Sequence, residues 1–108
     1  MTANDGGYVY LLVECGDNQM YKIGVTKGKR VSDRIKKLQT GNGNKITEVT
    51  SFWSSRPFKL ESMLHNRFYD KREEGEWFLL SEDDVKNFTS LCEMYQRNID
   101  ALEENPFF

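Results

Sequence analysis

Gly7-Tyr8-Val9-Tyr10-Leu11-Leu12 and, a little further on, Met20-Tyr21-Lys22-Ile23-Gly24-Val25-Thr26 are two short runs rich in aromatic and β-branched residues. Between them lies Gly16-Asp17-Asn18-Gln19, residue types that tolerate the positive φ angles of a tight reversal, so the pair reads as a β-hairpin. Along Tyr8 to Cys15, Tyr10, Leu12 and Glu14 fall on one face and Val9, Leu11 and Val13 on the other. Both faces are mostly apolar, which suits a strand covered on both sides. The second run has two irregularities: Lys22 interrupts an apolar strand, and Gly24 removes a side chain where a ligand or another backbone comes close. For Tyr10 and Lys22 to share a face, paired residue numbers must sum to an even value and the reversal must contain an odd number of residues; a loop of Gly16 to Met20 satisfies this.

With 108 residues, the chain is expected to form a single domain over 1–108, its core at 7–80 and a C-terminal amphipathic helix at about 81–103. No apolar run approaches the roughly 20 residues that cross a bilayer and nothing resembles a signal peptide, so no membrane partner is expected and the location is read as cytoplasmic. Cys15 and Cys92 are unclustered and there is a single His, which argues against structural zinc; both cysteines read as small buried residues. The net charge of −2 conceals an asymmetry. Residues 1–59 carry ten Lys/Arg against five Asp/Glu and residues 60–108 carry five against twelve, so the halves stand at +5 and −7. A local basic face, which the first half can supply, is what attracts phosphate.

Beyond the hairpin, a basic turn at Lys27-Gly28-Lys29-Arg30 leads into a helix of about Val31 to Thr40. Val31, Ile35 and Leu38 supply its buried stripe, while Arg30, Arg34 and Lys37 line a neighbouring face. Gly41-Asn42-Gly43-Asn44 ends it, and Ile46 to Trp53 reads as a third strand. Pro57 suits the first turn of a second helix over Phe58 to Asp70, whose core face is Leu60, Leu64 and Phe68, with Glu61 and His65 on an adjacent face. An acidic turn at Glu73 to Glu76 precedes the apolar run Trp77 to Leu80. Ser81 and Asp84 then form a capping-box start to a third helix. Its apolar positions Val85, Phe88, Cys92, Tyr95, Ile99 and Leu102 are spaced to pack on the domain itself or to form a homodimer or protein-partner seam. The first six residues read as loose, and Asn105-Pro106-Phe107-Phe108 is a terminal apolar tag.

Tyr8-Val9-Tyr10, Lys22-Ile23-Gly24, Arg34 in a basic helix, and Leu60-Glu61 through Leu64-His65 before Gly75-Glu76-Trp77-Phe78 together resemble the GIY-YIG endonuclease superfamily. The likeness is greatest to its small phage and bacterial branch, in which the second motif begins with Lys and a "GEWF" signature closes the domain. The resemblance implies an α+β fold, a small three-stranded antiparallel sheet with helices packed on it, compatible with the order β-β-α-β-α-[β]-α. It also implies phosphodiester hydrolysis in DNA with one Mg²⁺ or Mn²⁺. Tyr10, Lys22, Arg34 and Glu61 fall on its catalytic positions, Glu61 on the metal ligand. A hard Mg²⁺ keeps most of its waters and needs few carboxylates. Arg34 would hold the non-bridging phosphate oxygens, and Tyr10 or Lys22 would orient or deprotonate water. Lys22 as a base would require burial or nearby cations. Lys27, Lys29, Arg30 and Lys37 are candidate nucleic-acid contacts, and Tyr8, Gly24 and His65 candidate supporting positions. The chain departs from the pattern in carrying Tyr8 for the first-motif Gly and Lys22 for the second-motif Tyr. Taken singly, each residue has an ordinary explanation: Tyr10 as a core aromatic, Glu61 as a surface carboxylate, the lysines as a solvated face. The competing expectation is a catalytically idle module of the same fold that binds nucleic acid or protein, such as a phage inhibitor of a host defence enzyme.

Overall fold

Strand β1, Gly7–Cys15, sends alternate side chains into two separate cores. Val9 and Leu11 are wholly buried in one, and Tyr10 and Leu12 are buried in the other, as the two apolar faces of the sequence require. The structure is a computed structural model that describes residues 6–104; residues 1–5 and the Asn105-Pro106-Phe107-Phe108 tag lie outside the described residues.

Strand β2, Met20–Thr26, pairs antiparallel with β1 from Tyr8↔Thr26 to Glu14↔Met20. Paired numbers sum to 34 throughout, the even parity that puts Tyr10 and Lys22 on one face. The reversal comprises residues 15–19, one position earlier than the Gly16 to Met20 loop, because Met20 is already paired with Glu14. Strand β3, Lys45–Ser54, lies on the other side of β1. There Leu11 faces Thr50 and Leu12 faces Glu48, so Val49 is an extra residue that bulges out and breaks the strand's alternation.

The expected three-stranded sheet is corrected: the sheet has five antiparallel strands, ordered β3-β1-β2-β5-β4. The two additional strands are β4, Arg72–Glu74, and β5, Trp77–Phe78, which turn on Gly75 with φ of 58° and pair with each other. Strand β5 also pairs Phe78 with Tyr21 and Trp77 with Lys22. Without that cover the outer edge of β2 would present unpaired N–H and C=O groups. A three-residue strand Arg-Glu-Glu and a two-residue strand are too short for period-two patterning to reveal.

Among the described residues, four α-helices accompany the sheet. Helix α1, Val31–Gln39, sets Val31, Ile35 and Leu38 against the Tyr10/Leu12 core. Helix α2, Pro57–Arg67, begins on Pro57, buries Leu60 and Leu64 on the opposite face, and gives way at Phe68 to a 3₁₀ turn, Tyr69–Lys71. The single C-terminal helix expected from about 81 divides at Asn87 into α3, Glu82–Lys86, and α4, Phe88–Glu103. Ser81 and Asp84 form the capping box at the start of α3. Phe88, Cys92 and Ile99 are buried in the domain's own core with Leu60 and Leu64, whereas Leu102 is exposed. Cys92 is buried as expected, but Cys15 is exposed at the end of β1. Among the described residues, no helix is long and apolar enough to cross a membrane.

Tyr10 faces Gly24 across β1 and β2, and its ring lies over the glycine. A Cβ at position 24 would stand 2.5 Å from the Tyr10 hydroxyl and 2.6 Å from Cζ. The approach that Gly24 permits is therefore that of the Tyr10 ring. Since Tyr10 is only 4% exposed, its ring has little room to give way. Gly24→Ala should destabilise the fold by about 1–3 kcal/mol. Gly43→Ala, with open space around its Cβ, should change stability by less than about 0.5 kcal/mol. Urea unfolding midpoints check this, and equal midpoints for the two variants would show that the ring yields freely.

Candidate active site

Ile23 of β2 joins three elements. Its N–H donates to the Glu76 carbonyl at 3.3 Å, just before β5, and its own carbonyl accepts from His65 Nε2 of α2 at 3.0 Å. A carbonyl oxygen only accepts, so Nε2 carries the imidazole proton. The His65 ring also meets the Phe78 ring edge-on, with centroids 5.0 Å apart. His65 thus pins α2 to the edge of β2, and Glu61, one turn earlier, reaches round that edge to the face holding Tyr10 and Lys22.

Tyr10, Lys22, Arg34 and Glu61 all line one concave pocket of about 300 Å³, together with Lys37 and Glu76. The four positions singled out from sequence are brought together by β1, β2, α1 and α2. Lys22 Nζ donates to Glu76 Oε1 at 2.8 Å and lies 5.6 Å from the Trp77 ring centroid. The Nε of Arg34 is buried with no hydrogen-bond partner. A buried donor left unsatisfied costs about 1–3 kcal/mol, so this N–H calls for an acceptor from outside the chain.

Burial raises the Glu61 carboxyl from the ordinary 4.5 to about 7; the Glu76 charge and a hydrogen bond with Glu76 add to this, and Lys22 partly opposes it. Burial also raises the Tyr10 phenol, with Arg34 opposing and the two glutamates adding. Tyr10 therefore keeps its proton at neutral pH and can both donate and accept a hydrogen bond. One donor atom each from Glu61, His65 and Glu76 lies within 4.8 Å of the others. His65 Nε2 is committed to Ile23, which leaves the two carboxylates as the hard oxygen donors that suit Mg²⁺. Burial and the neighbouring Glu76 charge make the Glu61 carboxylate favour added positive charge, whether a proton or a divalent ion.

The other candidates divide. Lys37 lines the pocket, and Gly24 acts through Tyr10. Lys27 lies at a neighbouring depression with Nζ 5.9 Å from the Phe58 ring centroid. Lys29, Arg30 and the exposed Tyr8 line a third depression at the start of α1, away from Glu61. Glu76 is the residue the sequence reading passes over. The signal for it was present, since a lysine inside an apolar strand needs a counter-charge and Glu76 lies in the acidic turn immediately before the apolar run Trp77 to Leu80.

A family profile described as the T5orf172 domain matches residues 7–93. The chain belongs to the T5orf172 domain family. No curated protein and no solved structure matches it. The T5orf172 domain is phage-associated, and membership is consistent with a nuclease-like or nucleic-acid-binding module. The matched span of this T5orf172 domain covers all five strands and takes in every residue of the pocket.

The Glu61 shift fixes a pH dependence. The folded value lies above the unfolded one, so the stabilising contribution is complete below about 4.5 and is lost as pH rises through about 7. In EDTA, Glu61→Gln should therefore be more stable than the parent at pH 8, by on the order of 1–3 kcal/mol, and nearly equal to it at pH 4–5. Urea denaturation at the two pH values reads the difference. A gap independent of pH would mean that Glu61 is ordinarily ionised.

Proposed function

We propose that this T5orf172 domain is a metal-dependent DNA endonuclease of the GIY-YIG type, hydrolysing phosphodiester bonds with one Mg²⁺ or Mn²⁺. The observation that carries this reading is the buried, unpartnered Nε of Arg34 in a pocket that also holds two crowded carboxylates. A phosphate diester offers oxygens to the first, and a divalent ion would offset the negative charge of the second and of the phosphate.

Glu61 is the primary ligand, and Glu76, whose Oε1 also holds Lys22, is the carboxylate beside it. When bound, the ion supplies Lewis-acid stabilisation of charge on the phosphate. Arg34 binds the non-bridging oxygens through a planar fork and stabilises the charge that builds up in the transition state. Tyr10, protonated and held over Gly24, orients the attacking water by accepting from it or donating to it. Lys22 is paired with Glu76, so its role is to donate to phosphate and to hold Glu76 in place. Lys37 extends the positive rim toward the neighbouring phosphate.

Supercoiled plasmid should be nicked in Mg²⁺ and spared in EDTA. Arg34→Ala and Glu61→Gln should each lower the rate by about 100-fold or more. Undiminished nicking by both variants would overturn the assignment. DNA binding that persists in Glu61→Gln, with no cleavage by the parent under any divalent metal, would identify an idle binding module instead.

A further inference from the structure

Phe58 stands in the first turn of α2, three residues before Glu61, and forms a wall shared by two depressions. One is the pocket of Tyr10, Arg34 and Glu61; the other, of about 200 Å³, is lined by Lys27, Arg56 and Lys59 and by no acidic side chain. The ring is 59% exposed and belongs to neither core. Single exposed aromatics are common on protein surfaces, so exposure alone means nothing. Its position decides the matter, because an aromatic face borders both the polar pocket of Tyr10, Arg34 and Glu61 and a cationic depression.

The surroundings hold this arrangement in place. A Cβ at Gly7 would come within 2.8 Å of Lys27 Cγ and 3.3 Å of Pro57 Cγ, so the glycine lets Lys27 and the start of α2 close on one another. Lys27 then stands with Nζ 5.9 Å from the Phe58 centroid. Arg56 is tied to Glu103 in an ion pair, whereas Lys27 and Lys59 have no such partner among the described residues. Two ammonium groups without a carboxylate partner among the described residues, beside one aromatic face, suit a nucleotide, the first for its phosphate and the second for its base.

We infer that Phe58 stacks on the base next to the phosphate held by Arg34, with Lys27 and Lys59 taking the adjoining phosphate, so that the substrate is DNA carrying an unpaired or extruded nucleotide. In a regular duplex each base face is covered by its neighbours, and a protein aromatic reaches one only after the base has left the stack. The placement beside the scissile phosphate rests on the nuclease reading; the stacking itself does not.

The test is fluorescence anisotropy with the full chain, in EDTA and at one fixed salt concentration, using three labelled DNAs: a single strand, a matched duplex, and the same duplex with one unpaired nucleotide. The parent should bind the single strand and the interrupted duplex more tightly than the matched one. Phe58→Ala should lose about 5- to 100-fold on those two and nothing on the matched duplex, while Phe58→Trp keeps the preference. Lys59→Ala should weaken all three alike. An equal effect of Phe58→Ala on all three DNAs, or no effect on any, overturns the inference. Plasmid nicking is scored separately: nicking without Phe58-dependent preference defeats the stacking alone, and Phe58-dependent preference without nicking supports the stacking and defeats only the nuclease reading.

Discussion

The contact of the Tyr10 ring with Gly24 is the constraint on which the rest of the structure depends. A buried aromatic that crosses to the neighbouring strand needs a position there without a side chain, and β2 offers only one glycine. Placing Tyr10 opposite Gly24 fixes the sum of paired residue numbers, and a slip of one residue would turn Lys22 to the other face. In the observed register Lys22 lies opposite Leu12 on one side and Trp77 on the other, with Tyr10 two pairs away on the same face. The pocket's floor is therefore set by packing before any charge is considered.

Onto that floor the helices bring charges that do not favour folding. Arg34 Nε is buried without an acceptor, and Glu61 is held where its ionisation is opposed by burial and by Glu76. Each costs free energy comparable to a sizeable part of a domain's net stability. The two cores on either face of β1 offset this, with Leu60 and Leu64, the residues immediately before Glu61 and His65, wholly buried. Local rules are broken where a ligand would restore them, which is the pattern expected of a functional site.

Much of this was legible because it depends on short periodicities. The alternation in β1 gave both faces, Val31, Ile35 and Leu38 gave the inner stripe of α1, and Leu60, Leu64 and Phe68 gave that of α2. The parity that unites Tyr10 with Lys22 was legible only as a condition on the loop length, met by residues 15–19, one position earlier than the expected loop of Gly16 to Met20. What escaped had no periodicity to show. Strands of three and two residues carry no alternation, Asn87 divides a helix without a Pro or Gly to mark the break, and Cys15 is exposed because it ends its strand. The reason for Gly24 was hidden for a different cause: a glycine says that something approaches, and only the fold says that it is the ring of Tyr10.

The miscounted strands and the overlooked glutamate are one physical fact. Glu76 carries no helical or strand periodicity, and it reaches Lys22 only because β5 pairs with β2 at Lys22 and Tyr21. In a three-stranded sheet that edge would be open, Lys22 would lack its counter-charge, and Glu61 would lose the neighbour that helps raise its carboxyl to about 7. The backbone bond from Ile23 to Glu76 and the side-chain bond from His65 to Ile23 join the added hairpin to the helix of Glu61 through a single residue. The hairpin thus does more than cover an edge: it brings the second carboxylate, and with it the demand for positive charge, to the pocket that Tyr10 and Gly24 have already shaped.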